Sequence, residues 1–217
     1  MRFPHLVFIV AAIVGSCAGP SNVLKTEPVA SESERQVAQF RITERASAWS
    51  AQAGTAVLLR RVLPGERQQL IGLVNDTAVR GDNFLLLVAY GAPNSIPPGP
   101  KLETVLERVG GVPYPFENLS DSDLYQKRDA LGPYFWKEFM AEQTRCVLAV
   151  RRLDFDSRII PAGSSAMEVV LRNCVDGTFE EAIAPLQPQR LAFASDAAVV
   201  NGVVRRRVLN PLAAPGR

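Results

Sequence analysis

Two of the three cysteines stand at the outer ends of one apolar segment, and their spacing predicts a disulfide. The segment, Arg145 to Val175, consists of two β-branched runs separated by a loop. If the runs pair as an antiparallel hairpin centred near residue 160, residues whose numbers sum to 320 face each other, and Cys146 opposes Cys174. The same register forms an apolar pair and an ion pair, Val150 with Val170 and Arg152 with Glu168. A single register that satisfies all three pairs predicts a cross-strand disulfide.

The third cysteine, Cys17, ends an N-terminal segment with the layout of a secretory signal. A positively charged start precedes the apolar run Leu6 to Val14, which is too short for a bilayer span of about 20 residues. Val14-Gly15-Ser16-Cys17 resembles a bacterial lipobox, in which the signal is cut before the cysteine and the sulfur is acylated, with palmitate for example. We therefore expect residues 1–16 to be a lipoprotein signal peptide. An ordinary signal cleaved near Ala18 is the alternative.

These features predict a compartment. Ala18, rather than aspartate, follows the cysteine, and by analogy with known bacterial lipoproteins this favours an outer-membrane anchor with the folded part facing the periplasm. Lipidation of Cys17 would leave Cys146 and Cys174 as an even pair in an oxidising compartment, where disulfides persist. Two buried thiols in a cytosolic protein are the alternative, and a metal site would need further ligands near the pair.

Catalytic chemistry has few candidate residues. The sole histidine, His5, lies in the expected signal, so the mature chain has no histidine for a catalytic triad, a general base or a zinc site. There is no glycine-rich phosphate loop between a strand and a helix. We expect no enzyme, no cofactor and no metal. Paired carboxylates could still hydrolyse a glycosidic bond, although solvated carboxylates on turns are the simpler interpretation. The candidates are Glu138, Glu142, Asp154 and Asp156.

An aromatic cluster and a basic run are candidate binding features. The cluster comprises Tyr134, Phe135, Trp136 and Phe139, with Tyr114 and Tyr125 nearby. We name Tyr134 and Trp136 as candidate glycan-binding residues, with burial in the core as the alternative. The run Arg205-Arg206-Arg207 could contact an anionic polymer, but alternate residues of a strand point to opposite faces. The formal net charge of +2 gives no reason to expect nucleic acid.

Hairpin signals dominate the element pattern. Thr55–Leu63 and Arg67–Val74 flank the turn Pro64-Gly65, and Phe84–Tyr90 reads as a strand buried on both faces. Asn201-Gly202 predicts a further hairpin. Short helices are predicted near residues 102–109, 121–131 and 179–186, while 35–53 and 134–140 fit either a helix or a strand. The predicted fold class is α+β, an antiparallel sheet of hairpins with about three short helices and one cross-strand disulfide.

The predicted domain organisation has one folded unit. Residues 17–34 are rich in serine, proline and charge and are predicted to form a flexible tether. Residues 35–209 form a single α+β domain, and 210–217 a frayed tail.

Four stretches resemble an alphaproteobacterial family of cellulose biosynthesis accessory proteins, the N type (BcsN). They are the signal that ends at Cys17, the run LPGERQQLIGLVNDTAVRGDNFLLL from Leu63 to Leu87, the Gly132-Pro133-Tyr134 step ahead of Cys146-Val147-Leu148-Ala149, and VVLRNC from Val169 to Cys174. Together they cover most of residues 55–187. The resemblance implies an envelope accessory role in cellulose production and no active-site residues.

Three functional hypotheses follow. The first is a non-enzymatic outer-membrane lipoprotein that supports the biosynthesis or export of cellulose or another exopolysaccharide through contacts with envelope proteins of that machinery. The second is a glycan-binding or weakly hydrolytic envelope protein. The third is a structural lipoprotein unrelated to polysaccharide. In each the membrane is contacted through the N-terminal lipid.

Overall fold

An eight-stranded antiparallel sheet organises the chain. The structure, a computed structural model, describes residues 30–91, 101–154, 157, 160–191, 198–200 and 203–205. The strands of the sheet are Arg41–Ile42 (β1), Thr55–Leu63 (β2), Glu66–Leu73 (β3), Asn83–Tyr90 (β4), Tyr125–Asp129 (β5), Gly132–Ala141 (β6), Thr144–Asp154 (β7) and Ala166–Asp176 (β8). Their order across the sheet is β1-β2-β3-β4-β8-β7-β6-β5. This confirms the predicted fold class.

The short helices lie outside the sheet. In the described part of the chain the α-helices are Glu32–Val37 (α1), Leu102–Glu107 (α2), Phe179–Ile183 (α3) and Pro188–Leu191 (α4), where about three were predicted. A small hairpin of Ala198–Val200 (β9) and Val203–Arg205 (β10) pairs as the Asn-Gly signal predicted. Among the described residues, no helix has the length and apolar character needed to cross a bilayer.

The predicted disulfide hairpin is confirmed. Strands β7 and β8 pair in the predicted register, and the bonded Cys146 and Cys174 have their Cα atoms 3.9 Å apart. Both cysteines are buried, because β4 and β7 flank β8 and side chains cover both faces of this part of the sheet. Strands buried on both faces have nearly continuous apolar sequences, which explains the composition of β4.

The turn between β2 and β3 also forms as predicted. Gly65 has a φ of 70°, the left-handed region in which glycine avoids the steric cost of a side chain. The turn sets the register of the pair, so that Arg61 lies opposite Gln68 and Leu63 opposite Glu66.

The two faces of the sheet have separate cores. We call the face that carries Cys146 and Cys174 the disulfide face. Its core contains alternate residues of β4, β7 and β8, and helix α2 covers it with Leu102, Val105 and Leu106. We call the other the opposite face. Residues from α3, the following 3-10 helix and α4 cover it, together with the fully buried Trp49.

The predicted helix over 121–131 is wrong. Ser120 and Asp123 do form the expected capping box, but it supports only the 3-10 helix Asp121–Asp123. From Tyr125 the chain becomes β5, which pairs with β6. A cap satisfies the first free N–H groups of a helix and does not fix its length, so sheet pairing decides the structure of the residues that follow.

The structure also assigns the two ambiguous segments. Residues 134–140 lie within strand β6, and 35–53 contain the end of α1, strand β1 and the 3-10 helix Arg45–Ser47. The predicted tether extends too far, because α1 begins at Glu32 and Ala30 is buried. Ser31 caps α1 by accepting from the backbone N–H of Glu34. The signal peptide, Cys17, the basic residues 206–207 and the tail 210–217 lie outside the described residues.

Candidate functional site

Two buried glutamates lie close together on the disulfide face. Glu66 and Glu168 are only 5% and 4% exposed. Glu66 lies opposite Tyr90 of β4, and Val88, two residues earlier in β4, lies opposite Glu168 of β8. Side chains two residues apart in a strand share a face, so this register brings both carboxylates to the same face on either side of β4.

Arg108 bridges the two carboxylates. It follows α2, whose apolar residues pack on the disulfide face, and its Nη1 donates to Glu168 Oε2. Its Nε lies 3.7 Å from Glu66 Oε2, too far for a hydrogen bond, and is buried without a hydrogen-bond partner. Arg35, a residue of α1, has its Nε atom 3.5 Å from Glu66 Oε1. We call Glu66, Glu168, Arg108 and Arg35 the buried ion network. Opposite charges in contact offset the cost of burying each group alone.

Two neutral side chains complete the hydrogen bonding of the glutamates. The hydroxyl of Tyr90 donates to Glu168 Oε1 at 2.7 Å, and Gln68 Nε2 donates to Glu66 Oε1 at 2.7 Å. Burial raises the pKa of Tyr90, which keeps its hydroxyl protonated as a donor.

A second arginine, Arg61, extends the polar region toward the edge of the sheet. Its Nε and Nη2 donate to Gln68 Oε1 at 3.0 and 2.6 Å, and its Nη1 donates to the carbonyl of Arg35 at 2.9 Å. The guanidinium also lies 4.3 Å from the centre of the Phe40 ring. Among the described residues no carboxylate lies within 4 Å of Arg61. Burial lowers the pKa of Arg61, although the charge of Glu66 opposes this.

A third arginine, Arg172, is held by oxygen atoms that carry no formal charge. It is 1% exposed and donates to Asn83 Oδ1 at 3.1 Å. Its other acceptors are the carbonyls of Arg80, Gly81, Asp82 and Tyr114. No described carboxylate lies within 4 Å of it, and burial lowers its pKa, with the charge of Asp82 opposing. Arg172 therefore fixes the turn before β4 to the loop after α2.

The three arginines line one cavity. Its volume is about 330 Å³, and it lies on the disulfide face between the end of α2 and the turn before β4. Arg61, Arg108 and Arg172 contribute the cationic part of its wall, and among the described residues Asp82 is the only acidic one that lines it. The apolar part comprises Phe40, Leu70, Phe84, Leu86, Val109 and Pro113. We call this space the arginine cavity.

Asp154 lies far from Glu138 and Glu142 in the sheet. Glu138 pairs with Arg145 on the neighbouring strand, and Glu142 lies in the turn between β6 and β7. Asp154 ends β7 at the other end of that strand and accepts from the N–H of Ser157 at 3.0 Å. Strand β7 spans 11 residues, roughly 35 Å, which exceeds the separation of about 5–9.5 Å that glycosidase carboxylates need. Asp156 lies outside the described residues.

The two predicted glycan-binding residues have different surroundings. Tyr134 is 7% exposed and belongs to the core of the opposite face, so its ring offers no face to a polymer. Trp136 is half-buried, and its ring centre lies 5.5 Å from that of Phe179 in α3 and 5.4 Å from that of Tyr134. Tyr125 of the edge strand β5 is 59% exposed, with its ring centre 5.7 Å from that of Trp136. We call Tyr125 and Trp136 the edge aromatic pair.

Sequence reasoning missed the buried ion network and the arginine cavity. A usable signal existed for Glu168, because it shares strand parity with Val170 and Cys174 and must therefore point into the same buried face. No comparable signal marked Arg108, which reaches the face from the end of a helix, or the turn carbonyls that hold Arg172.

Known proteins add no further site residues. The chain matches no protein-family model, no curated protein and no solved structure. Within the described part, no group of three or more histidine, cysteine, aspartate or glutamate residues is placed to hold a metal ion. The function of the site is therefore inferred from its own chemistry.

Proposed function

We propose that this protein is a non-enzymatic envelope lipoprotein that supports the biosynthesis or export of an exopolysaccharide, with cellulose as the first candidate. The observation that carries the proposal is the buried disulfide between Cys146 and Cys174. Disulfides persist in oxidising compartments, and the predicted N-terminal signal and lipobox would direct the chain to such a compartment. The polysaccharide itself comes from the family resemblance described above.

The state of the carboxylates supports an accessory role rather than hydrolysis. The two most buried glutamates, Glu66 and Glu168, are both engaged by Arg108, and Glu138 is engaged by Arg145. A glycosidase needs a carboxylic acid that is free to protonate the glycosidic oxygen, whereas these three carboxylates are held by arginines. The protein would then act through contacts with other envelope proteins.

The test of this proposal is cellulose yield, measured by dye binding and by acid-resistant glucose. A deletion strain is complemented with the wild-type chain, with Cys17→Ser, or with Ser16→Ala, which keeps a small residue before the cysteine and serves as the control. We expect wild type and Ser16→Ala to restore the yield and Cys17→Ser to fail. Rescue by Cys17→Ser would reject the anchoring claim alone. Unchanged cellulose in the deletion strain would reject the polysaccharide role.

The edge aromatic pair supports glycan binding as a second candidate function. Tyr125 is 59% exposed on the edge strand β5 beside Trp136, and exposed aromatic side chains suit contact with sugar rings. Purified mature protein, kept soluble with detergent, would be sedimented with cellulose. We expect Tyr125→Ala and Trp136→Ala to reduce the bound fraction and Met140→Ala, which removes a similarly exposed side chain from β6, to leave it unchanged. Equal sedimentation of all variants would reject this candidate.

A further inference from the structure

We propose that the arginine cavity binds a small organic monoanion, a carboxylate attached to an aromatic or branched apolar body. The cavity of about 330 Å³ is at the lower end of the range for small-molecule sites, which suits a ligand of about ten non-hydrogen atoms. This inference is independent of the proposed function, because it rests on the residues that line the cavity and not on the disulfide or the edge aromatic pair.

The charge of the cavity wall favours an anion. Arg108 is paired with Glu168 and Glu66, so Arg61, Arg172 and the carboxylate of Asp82 set the formal charge of the described wall, 2 − 1 = +1. The two glutamates next to the cavity are engaged by Arg108 and Arg35, and neither Arg61 nor Arg172 has a described carboxylate within 4 Å. Cations that are removed from water without a counter-charge are costly, so a bound anion would stabilise them.

Guanidinium N–H groups without an acceptor indicate where the anion would bind. Arg108 Nε is one of them: its side chain is only 8% exposed, and the atom is buried without a hydrogen-bond partner. The Nη2 atom of Arg172 donates to the carbonyl of Arg80, and Nη2 of Arg61 donates to Gln68 Oε1. Each Nη2 carries two hydrogens, so one hydrogen remains on each for a ligand oxygen. Carboxylate oxygens match such guanidinium donors in charge and geometry.

The rest of the wall selects an apolar body rather than a sugar. Phe40, Phe84, Leu70 and Leu86 provide aromatic and aliphatic surface. Sugar hydroxyls need acceptors as well as donors, and burial without partners would cost free energy at each hydroxyl. An aromatic or branched hydrocarbon group loses no hydrogen bonds on entering such a wall.

The experiment uses the full chain in detergent and calorimetric titration with three probes. They are 3-phenylpropionate, its uncharged amide, and inorganic phosphate. We expect saturable one-to-one binding of phenylpropionate, at least tenfold weaker binding of the amide, and no binding of phosphate at the same concentrations. A tenfold difference is the scale of one charge-assisted hydrogen bond. Equal binding of acid and amide, or no binding of the acid, would overturn the proposal.

Two variants locate the binding site while keeping all four residues of the buried ion network. Arg61→Gln removes one cation from the wall, and Val109→Trp fills the space while keeping its charge. We expect both to weaken phenylpropionate binding at least tenfold. Arg41→Gln removes the same charge from the exposed strand β1 and is the matched control, which should bind like the wild type. Wild-type affinity in both cavity variants, or equal loss in all three, would place binding elsewhere and overturn the assignment. Circular dichroism spectra like that of the wild type would show that each variant is folded.

Discussion

At the scale of single residues, the stability contributed by Arg108 depends on the two carboxylates it contacts. Glu66 and Glu168 are almost completely buried, and Arg108 is the residue that reaches both. Removing one partner of a buried ion pair leaves a charge without compensation in a medium of low dielectric constant, at a cost of about 3–5 kcal/mol. Removing the whole set of charges is much less costly, because no buried charge remains.

We therefore predict that Arg108→Met lowers the free energy of unfolding by about 3–5 kcal/mol. The triple variant Arg108→Met, Glu66→Gln, Glu168→Gln should recover at least half of this loss, since both carboxylates become neutral. Urea denaturation measures both values. A triple variant less stable than Arg108→Met would show that the carboxylates are not what makes the single substitution costly.

The ion pair between Asp129 and Arg151 gives a prediction about pH. The Arg151 guanidinium is fully buried and contacts Asp129 through two bonds, Nη2 to Oδ1 at 2.7 Å and Nη1 to Oδ2 at 3.0 Å. Burial on its own would raise the pKa of Asp129, but the hydrogen bonds from Arg151 and from the N–H of Leu131, together with the charge of Arg151, outweigh it and lower that pKa. The folded protein thus binds this proton more weakly than the unfolded chain does.

The direction of the pH dependence follows from the linkage between proton binding and folding. Stability from Asp129 is fully present above the unfolded pKa of about 3.9 and is lost as the pH falls through the lower folded pKa. We predict that Asp129→Asn lowers the free energy of unfolding at pH 7 by about 2–3 kcal/mol, because Arg151 loses its counter-charge. It should also flatten the fall in stability below pH 4. Urea denaturation at several pH values tests this, and a variant with the same slope as the wild type would contradict it.

Strand parity could predict some of these residues and not others. Alternation along β7 and β8 placed Cys146 opposite Cys174 and showed that Glu168 lies opposite Arg152. The same alternation says nothing about side chains that arrive from another layer. Arg108 comes from the end of α2, and so the main charge partner of Glu168 could not be found from the sequence.

At the scale of elements, local signals succeeded where both partners are close in sequence. The hairpins β2–β3 and β7–β8 form as predicted because the turn signals and the alternating apolar residues together specify the register. The 121–131 segment failed because its capping signal is local, whereas its strand pairing depends on β6. The disulfide adds a covalent link to a hairpin whose register is already specified.

This leads to a prediction for the double variant Cys146→Ala, Cys174→Ala. Its chain should fold to the same sheet, because the Val150–Val170 pair and the rest of the β7–β8 register remain. Its free energy of unfolding should fall by about 2–4 kcal/mol, since the disulfide restricts the unfolded chain. Urea denaturation with and without a thiol reductant measures the effect. The reductant should lower the stability of the wild type and leave that of the double variant unchanged, and equal sensitivity of both would contradict the assignment.

At the scale of the whole molecule, pairing between β4 and β8 determines the fold. These strands join the β2–β3–β4 part of the sheet to the β5–β8 part, and their paired residues are about 80 positions apart, as in Leu86 with Val170. No turn specifies that contact, so the sequence predicted an antiparallel sheet of hairpins and not the order of its strands. It also could not show that helices cover both faces, because short helices carry no sign of which face they cover.

Local unfolding should be easiest in the edge strands of the sheet and hardest in its central strands. Strands β4 and β8 lie in the middle of the sheet with almost every residue buried, whereas β1 has two exposed residues and β5 is mostly exposed at the other edge. Local opening costs least where few apolar contacts break, so amide hydrogen exchange should be fastest in β1 and β5 and slowest in β4 and β8. Amides at Leu86 and Val170 should exchange only through global unfolding, with a free energy equal to that from urea denaturation. Faster exchange in β4 and β8 than in the β2–β3 hairpin would mean that the two parts of the sheet separate before either part unfolds.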